Sequence, residues 1–199
     1  MKQPYAEIVT EKTQFDGFNL LREYDLKVRS LADPGKFLAP INREVLQISD
    51  AVVVLIYVRA ADSFLFCQQF RTGVFFNAED RNPFIIEAPA GMIDSGLGPE
   101  DTAIKEVKEE TGLQVSDIEC FAEAYPSSGR LTEKNWLYYT EVDEVPETGI
   151  FGAEEEGEDI KTHLIKRETA YEMAARMEIV HLQTLLAIYW FKSEKDPHK

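Results

Sequence analysis

The chain has 199 residues, 44% of them hydrophobic, enough for one good core or a core domain with a small appendage. Its net charge of -15 argues against non-specific attraction to nucleic acid or anionic membrane, both of which need a basic surface. Cys67 and Cys120 lack the spacing of a zinc site or disulfide framework, no run is long enough to span a membrane, and no signal-peptide apolar core follows Met1, so a soluble cytoplasmic protein is expected.

In chain order, residues 5–28 read as short strands. Glu7-Ile-Val-Thr10 is rich in β-branched residues, a turn follows near Asp16-Gly17, and Tyr24, Leu26 and Val28 alternate with charges. Residues 31–40 carry loop formers, and Arg43 to Ile48 forms a further strand. Ala51 to Val58 has the apolar continuity of a buried strand, with Phe64 to Arg71 as its hairpin partner across residues 60–62. Strands are also expected at Phe84-Ile-Ile-Glu-Ala88, Ile118 to Tyr125, Trp136 to Val142 and Ile160 to Ile165. A Gly- and Glu-rich loop spans 149–158. Arg167 to Arg176 and Val180 to Phe191 have the apolar spacing of helices. The pattern predicts an α/β protein, an α/β/α sandwich over 49–199 preceded by a small antiparallel β-subdomain over 1–48. So small a sheet would struggle to bury a core alone, which makes packing against a second copy, a homodimer, the expected solution.

The most informative segment runs from Gly91 to Leu113. Gly98-Pro99 followed by Glu100 and Asp101 marks a helix start, with acids near the positive end of the dipole, and Gly112 marks the stop. At about 100° per residue, Glu106, Glu109 and Glu110 fall on one arc beside the apolar stripe of Ala103, Val107 and Ile104. Three carboxylates at this spacing repel one another, by tenths of a kcal/mol per pair. They form either a solvated acidic face or the ligands of a hard divalent cation, which prefers oxygen donors.

The segment Gly91, then Lys105-Glu106-Val107-x-Glu109-Glu110-x-Gly112-Leu113 resembles the Nudix box, G-x5-E-x7-R-E-U-x-E-E-x-G-U, in which U is aliphatic. Seven of its nine specified positions are met. Leu97 stands where the box has its first glutamate and Lys105 where it has arginine, two positions that usually pair as a structural loop-to-helix ion bridge. The glutamates implied as metal ligands are intact.

Beyond the box, most of the chain resembles the ADP-ribose pyrophosphatase group of Nudix hydrolases, which cleave nucleoside diphosphate sugars with Mg²⁺, Mn²⁺ being a possible substitute. Glu87-Ala-Pro-Ala-Gly91 resembles that group's approach to the box, which implies the Ala90 carbonyl as a metal ligand beside Glu106, Glu109 and Glu110, with Gly91 and Met92 at the substrate. Gln68-Gln-Phe-Arg71 resembles its arginine strand, and implies Arg71 at a phosphate rather than in a plain surface ion pair. Ser127-Ser-Gly-Arg-Leu-Thr-Glu133 resembles its S-P-G-x-x-x-E loop, implying Ser127, Gly129 and Glu133 as substrate contacts, although Glu133 also reads as an ordinary exposed acid. Phe18 and Arg43 resemble a pair that sandwiches the base, the aromatic coming from the second subunit; Phe18 as sheet core is the alternative. The acidic loop places Glu156 as general base and Glu158 as a further metal ligand, with Glu154 or Glu155 as base in another register. Glu87 supports a metal ligand or pairs with Lys105. Other substrates of the same class (GDP- or UDP-sugars, dinucleoside polyphosphates), or a non-catalytic nucleotide-sugar-binding domain, are the alternatives.

Overall fold

The structure is a computed structural model that describes residues 5–77, 81–93, 95–153 and 157–198. Its contacts divide the chain into two units, Met1–Asp50 with Tyr125–Lys134, and Ala51–Ala124 with Asn135–Lys199.

The smaller unit is an antiparallel sheet of β1 (Ala6–Asp16), β2 (Leu20–Val28) and β3 (Ile41–Gln47), in that spatial order. The turn expected at Asp16-Gly17 joins β1 to β2. Residues 125–134, distant in sequence, join this unit at β3: the Leu46 amide donates to the Arg130 carbonyl at 2.9 Å, and the Thr132 amide donates to the Leu46 carbonyl at 3.2 Å. Every residue of β1 is exposed, and none in β2 or β3 is fully buried. Three strands of this kind have no apolar interior of their own.

The larger unit is organised around β4 (Ala51–Val58). Successive side chains of a strand point to opposite faces, and here both faces are covered. Val52, Val54, Ile56 and Val58 pack with Ala103 and Val107, whereas Val53, Leu55 and Tyr57 pack with Phe64, Phe66, Ala170, Ile188 and Phe191. A single 3₁₀ turn at Arg59–Ala61 and a left-handed Asp62 lead into β5 (Ser63–Phe70), followed by the six-residue α1 (Thr72–Asn77), β6 (Phe84–Glu87), β7 (Ala90–Met92) and the box helix α2 (Pro99–Thr111). Then come β8 (Glu119–Ala124), β9 (Asn135–Val142), β10 (Ile150–Phe151), β11 (Ile160–Lys166), α3 (Arg167–Ala175) and α4 (Leu182–Glu194). The sheet order is β10-β11-β5-β4-β9-β8, with β4 and β9 parallel. With α2 against one face and α3 and α4 against the other, this is the expected α/β/α sandwich.

One feature positions the site. β4 and β5 pair only from Ile56–Val58 to Ser63–Leu65, and then diverge. Into the opening go β6, which pairs with Cys67–Phe70 of β5, and β7, which pairs with Ala51–Val53 of β4. The Val54 amide donates to the Pro89 carbonyl at 2.9 Å between them. This wedge carries Glu87, Ala90 and Gly91.

Candidate active site

Helix α2 forms where the residues dictate. Pro99 occupies its first turn behind an extended Gly98, the Thr102 amide donates to the Gly98 carbonyl at 3.0 Å, and Gly112 ends the helix with φ +73°. The buried side of the helix includes Thr102, Ala103, Glu106, Val107, Glu110 and Thr111. Glu110 therefore lies in the middle of the buried face, 1% exposed, rather than beside it as the apolar spacing suggested; Glu106 is 9% exposed and Glu109 half-exposed. Ile104, counted in the apolar stripe from the sequence, is only half-buried.

Polar partners surround Glu110. Its Oε2 accepts the Ala90 amide at 3.1 Å and its Oε1 accepts from Gln69 Nε2 at 3.4 Å. Burial raises its pKa to about 8; the Ala90 N–H opposes that rise, while the nearby Glu106 and Glu87 carboxylates add to it. Gly91 lies under Glu106 so closely that a Cβ there would collide with the carboxyl group. Lys105 Nζ sits 2.9 Å from Glu109 and 3.7 Å from Glu106, so the residue that replaces the box arginine is turned along its own helix. Leu97 is exposed.

Glu87 is fully buried, and Arg71 is its partner, not Lys105. Arg71 donates Nε and Nη2 to the same oxygen, Oε1, at 2.7 and 2.5 Å. Burial pushes the Glu87 pKa up, and the Arg71 guanidinium offsets part of that. His181 also lies here, although no sequence motif marks it. Its Nδ1 is 2.9 Å from Thr184 Oγ1, which accepts the Ala88 amide at 2.8 Å, and 3.8 Å from Glu87 Oε2. Burial, reinforced by Arg71, lowers the His181 pKa to about 4.

The acidic loop is tied to the box helix. The Gly152 amide donates to the Glu109 carbonyl at 3.2 Å, and Phe151 lies against Gly112. Glu158 closes its own loop, its Oε2 accepting the Ala153 amide at 3.1 Å. Glu156, and with it Glu154 and Glu155, lies outside the described residues. Beside this loop is a cavity of about 310 Å³ lined by Gln68, Asn82, Phe84, Ile150, Asp159 and Lys161. Met92 is half-exposed next to Gly91.

Within the smaller unit, Arg43 and Gly129 line one cavity of about 640 Å³, with Leu21, Glu44, Arg130 and Leu131 among its walls. Ser127 anchors the turn before it, its carbonyl accepting the Arg130 and Leu131 amides at 3.1 and 3.0 Å. Glu133 is half-buried. Phe18, at the β1–β2 turn, is 86% exposed and is not sheet core in this chain.

Among the described residues, no three His, Cys, Asp or Glu side chains form a ready-made metal cage. The donor set nevertheless suits a divalent cation. Glu106 and Glu110 are buried carboxylates on adjacent turns of one helix, and Glu87 adds a third negative charge close by; burial first, and then these neighbours, push the Glu110 pKa up.

A family model, the NUDIX domain, matches residues 49–185. The chain belongs to the Nudix family. An ADP-ribose pyrophosphatase of Haemophilus influenzae is 34% identical over 191 residues, covering 96% of this chain and 87% of that protein. One from Escherichia coli K12 is 30% identical over 187 residues, covering 94% and 88%. A GDP-mannose pyrophosphatase of Pectobacterium atrosepticum is 33% identical over 140 residues, covering 69% of each chain. The crystal structure of an ADP compounds hydrolase superposes with a TM-score of 0.72 at 16% identity, covering 98% of both chains, a likeness of fold. Nudix hydrolases generally use divalent metal ions, in keeping with the carboxylates of α2. No helix among the described residues is long and apolar enough to cross a membrane.

Proposed function

We propose that this Nudix pyrophosphatase hydrolyses the diphosphate bond of nucleoside diphosphate sugars of the ADP-ribose kind, giving a nucleoside monophosphate and a sugar phosphate. The observation that carries the reading is Glu110, a carboxylate buried in the middle of the box helix's inner face, one turn from Glu106 and bonded to the Ala90 amide. The names of the relatives support the substrate class, and the GDP-mannose relative makes a GDP-sugar the second substrate to try.

In this reading Glu106, Glu109, Glu110, the Ala90 carbonyl and Glu158 hold Mg²⁺, with Mn²⁺ as a substitute. A divalent cation held there would neutralise the diphosphate, acidify water and stabilise the departing phosphate. Arg71 binds a phosphoryl oxygen through the N–H groups that Glu87 leaves free, a planar fork suited to phosphate. Glu156 accepts a proton from the attacking water as its oxygen bonds to phosphorus and the P–O–P bridge breaks. Gly91 and Met92 lie along the diphosphate; Ser127, Gly129 and Glu133 contact the sugar side; Phe18 and Arg43 sandwich the base. Residues 1–48 serve dimerisation and substrate contact in a two-fold homodimer, as the exposed β1 suggests. Two cysteines without the spacing of a disulfide framework suit a reducing compartment, and we assign the protein to the cytoplasm.

The test is a panel of ADP-, GDP- and UDP-sugars and dinucleoside polyphosphates with Mg²⁺ or Mn²⁺, scored by phosphate released through a coupled phosphatase. ADP-ribose or a close analogue is expected to rank first. Turnover confined to dinucleoside polyphosphates, or none at all, would remove the substrate assignment.

A further inference from the structure

The pairing of Arg71 with Glu87 is not a neighbourly one. Along the β5–β6 ladder Glu87 sits opposite Cys67, and the Arg71 amide bonds to the Pro83 carbonyl, four residues further on. At about 3.3 Å per residue, the two backbone positions are on the order of 13 Å apart along the strand. Arg71 therefore reaches back over Gln69 to meet a carboxylate that has no exposure at all.

Both donated N–H groups go to Oε1 of Glu87. The second oxygen, Oε2, is buried and accepts no hydrogen bond among the described residues. Its nearest basic atom is His181 Nδ1, at 3.8 Å. The Thr184 hydroxyl, which accepts the Ala88 amide, lies 2.9 Å from His181 Nδ1 and is a closer partner for that nitrogen than Glu87 Oε2. Arg71 is thus the main partner of the carboxylate, with a smaller contribution from the Gln69 side chain.

The wedge around Glu87 is pinned at successive residues. The Ala88 amide is held by Thr184, the Pro89 carbonyl by Val54 and the Ala90 amide by Glu110. Glu87 is a fixed point, and Arg71 is a long side chain, 37% exposed, that would otherwise sample many rotamers. Nε and one N–H of Nη2 are spent on Glu87, whereas Nη1 makes no hydrogen bond in the described structure, so its N–H pair remains for a ligand.

We propose that Glu87 is a positioning residue: its buried carboxylate holds the Arg71 guanidinium beside the box-helix glutamates, with one edge of the fork preset for a phosphoryl oxygen of the substrate. The proposal rests on the diphosphate-sugar reading above. Glu87 touches no substrate, and its whole effect passes through Arg71.

A double-mutant cycle of Glu87→Gln and Arg71→Ala, with kcat and KM measured on the best substrate of the panel, tests this. Glu87→Gln keeps the shape and one acceptor oxygen but loses the charge that fixes the guanidinium; it is expected to raise KM about tenfold or more, with a smaller effect on kcat and an unchanged or higher melting temperature. In the Arg71→Ala background the same change is expected to have no further kinetic effect. Glu87→Asp, charged but shorter, should recover part of the loss. Glu87→Gln with wild-type KM, or losses that multiply in the double variant, would overturn the proposal while leaving the substrate reading intact. A purely structural Glu87 would show as a lowered melting temperature with unaltered KM, and would also overturn it. Wild-type protein that cleaves no diphosphate sugar overturns both, and does so before any variant is made.

Discussion

Gly91 and Glu106 meet face to face: the glycine's missing side chain is the space that the glutamate carboxyl occupies. The glycine is needed for close approach between strand β7 and helix α2. Gly91→Ala must push the Glu106 carboxyl aside or shift the strand. We expect kcat to fall at least about tenfold with the fold retained, because displacing the proposed metal ligand Glu106 by even an ångström is costly. Circular dichroism and steady-state kinetics on one preparation check this, and wild-type kcat would show that Glu106 does not work where it lies.

Glu106→Gln and Glu110→Gln should each lower kcat more than about 100-fold, since each removes a charge from the proposed metal site. Without metal, the same variants should melt at or above the wild-type temperature. A buried carboxylate near two others is destabilising, and a neutral amide of the same shape removes that charge. Melts in chelator, set beside activity with Mg²⁺, separate the two effects. Full turnover in both variants would remove the assigned site.

The proposed general base is assigned to the loop whose Gly152 amide bonds to the Glu109 carbonyl of the box helix. Glu156→Gln is expected to lower kcat with little change in substrate affinity, as for a group that acts in the transition state. If Glu154→Gln or Glu155→Gln causes the large loss instead, the register of the loop is shifted.

Far from the site, Asp62 receives Arg167 Nε at 2.8 Å and the Tyr57 hydroxyl at 2.9 Å. The hydrogen bond from Arg167 holds the Asp62 carboxyl below its ordinary 3.8, against the opposing effect of burial. A carboxyl depressed in the folded state stabilises the protein above its unfolded pKa, and that contribution is lost as the pH falls through the folded one. Asp62→Asn keeps a residue that tolerates the left-handed φ of 42°. Its melting temperature should lie below wild type near neutrality, and the gap should close as the pH falls below about 4. A gap that does not change with pH would show that the ion pair does not carry the effect.

For assembly, we expect a homodimer in sedimentation at micromolar concentration, with loss of solubility and activity when residues 1–48 are removed. Phe18→Ala should raise KM more than it lowers kcat, because stacking on a base helps ground and transition states alike. A fully active monomer would contradict this assignment, and so would an unaltered KM in Phe18→Ala.

Much of this was legible in the residues. The eight apolar residues of β4, the Gly98-Pro99 start and the Gly112 stop of α2 each have a local cause, and the structure puts those elements where the sequence does. The elements that escaped were short or lacked a period. Ala90–Met92, Ile150–Phe151 and the helix Thr72–Asn77 hold too few residues for alternation or a helical stripe to show. Helix α4 begins at Leu182, not Val180, because His181 is still extended, with ψ 116°. Among the site residues, the glutamates were visible through their spacing, but the depth of Glu110 was not, since apolar spacing assigns a carboxylate to the outside. The link from Arg71 to Glu87 spans an offset in the ladder that no local pattern encodes.

The divergence of β4 from β5 has a further meaning. The glutamates stand on a 13-residue helix, whereas Ala90 and Glu87 stand on strands of three and four residues that fill a gap in the sheet. One half of the site is borne by a cooperative element and the other by an inlay that a few hydrogen bonds keep in register. The inlay can loosen while the sheet around it stays whole, so amide exchange at 84–92 should be faster than in the middle of β4 and should slow when a ligand bridges the two halves.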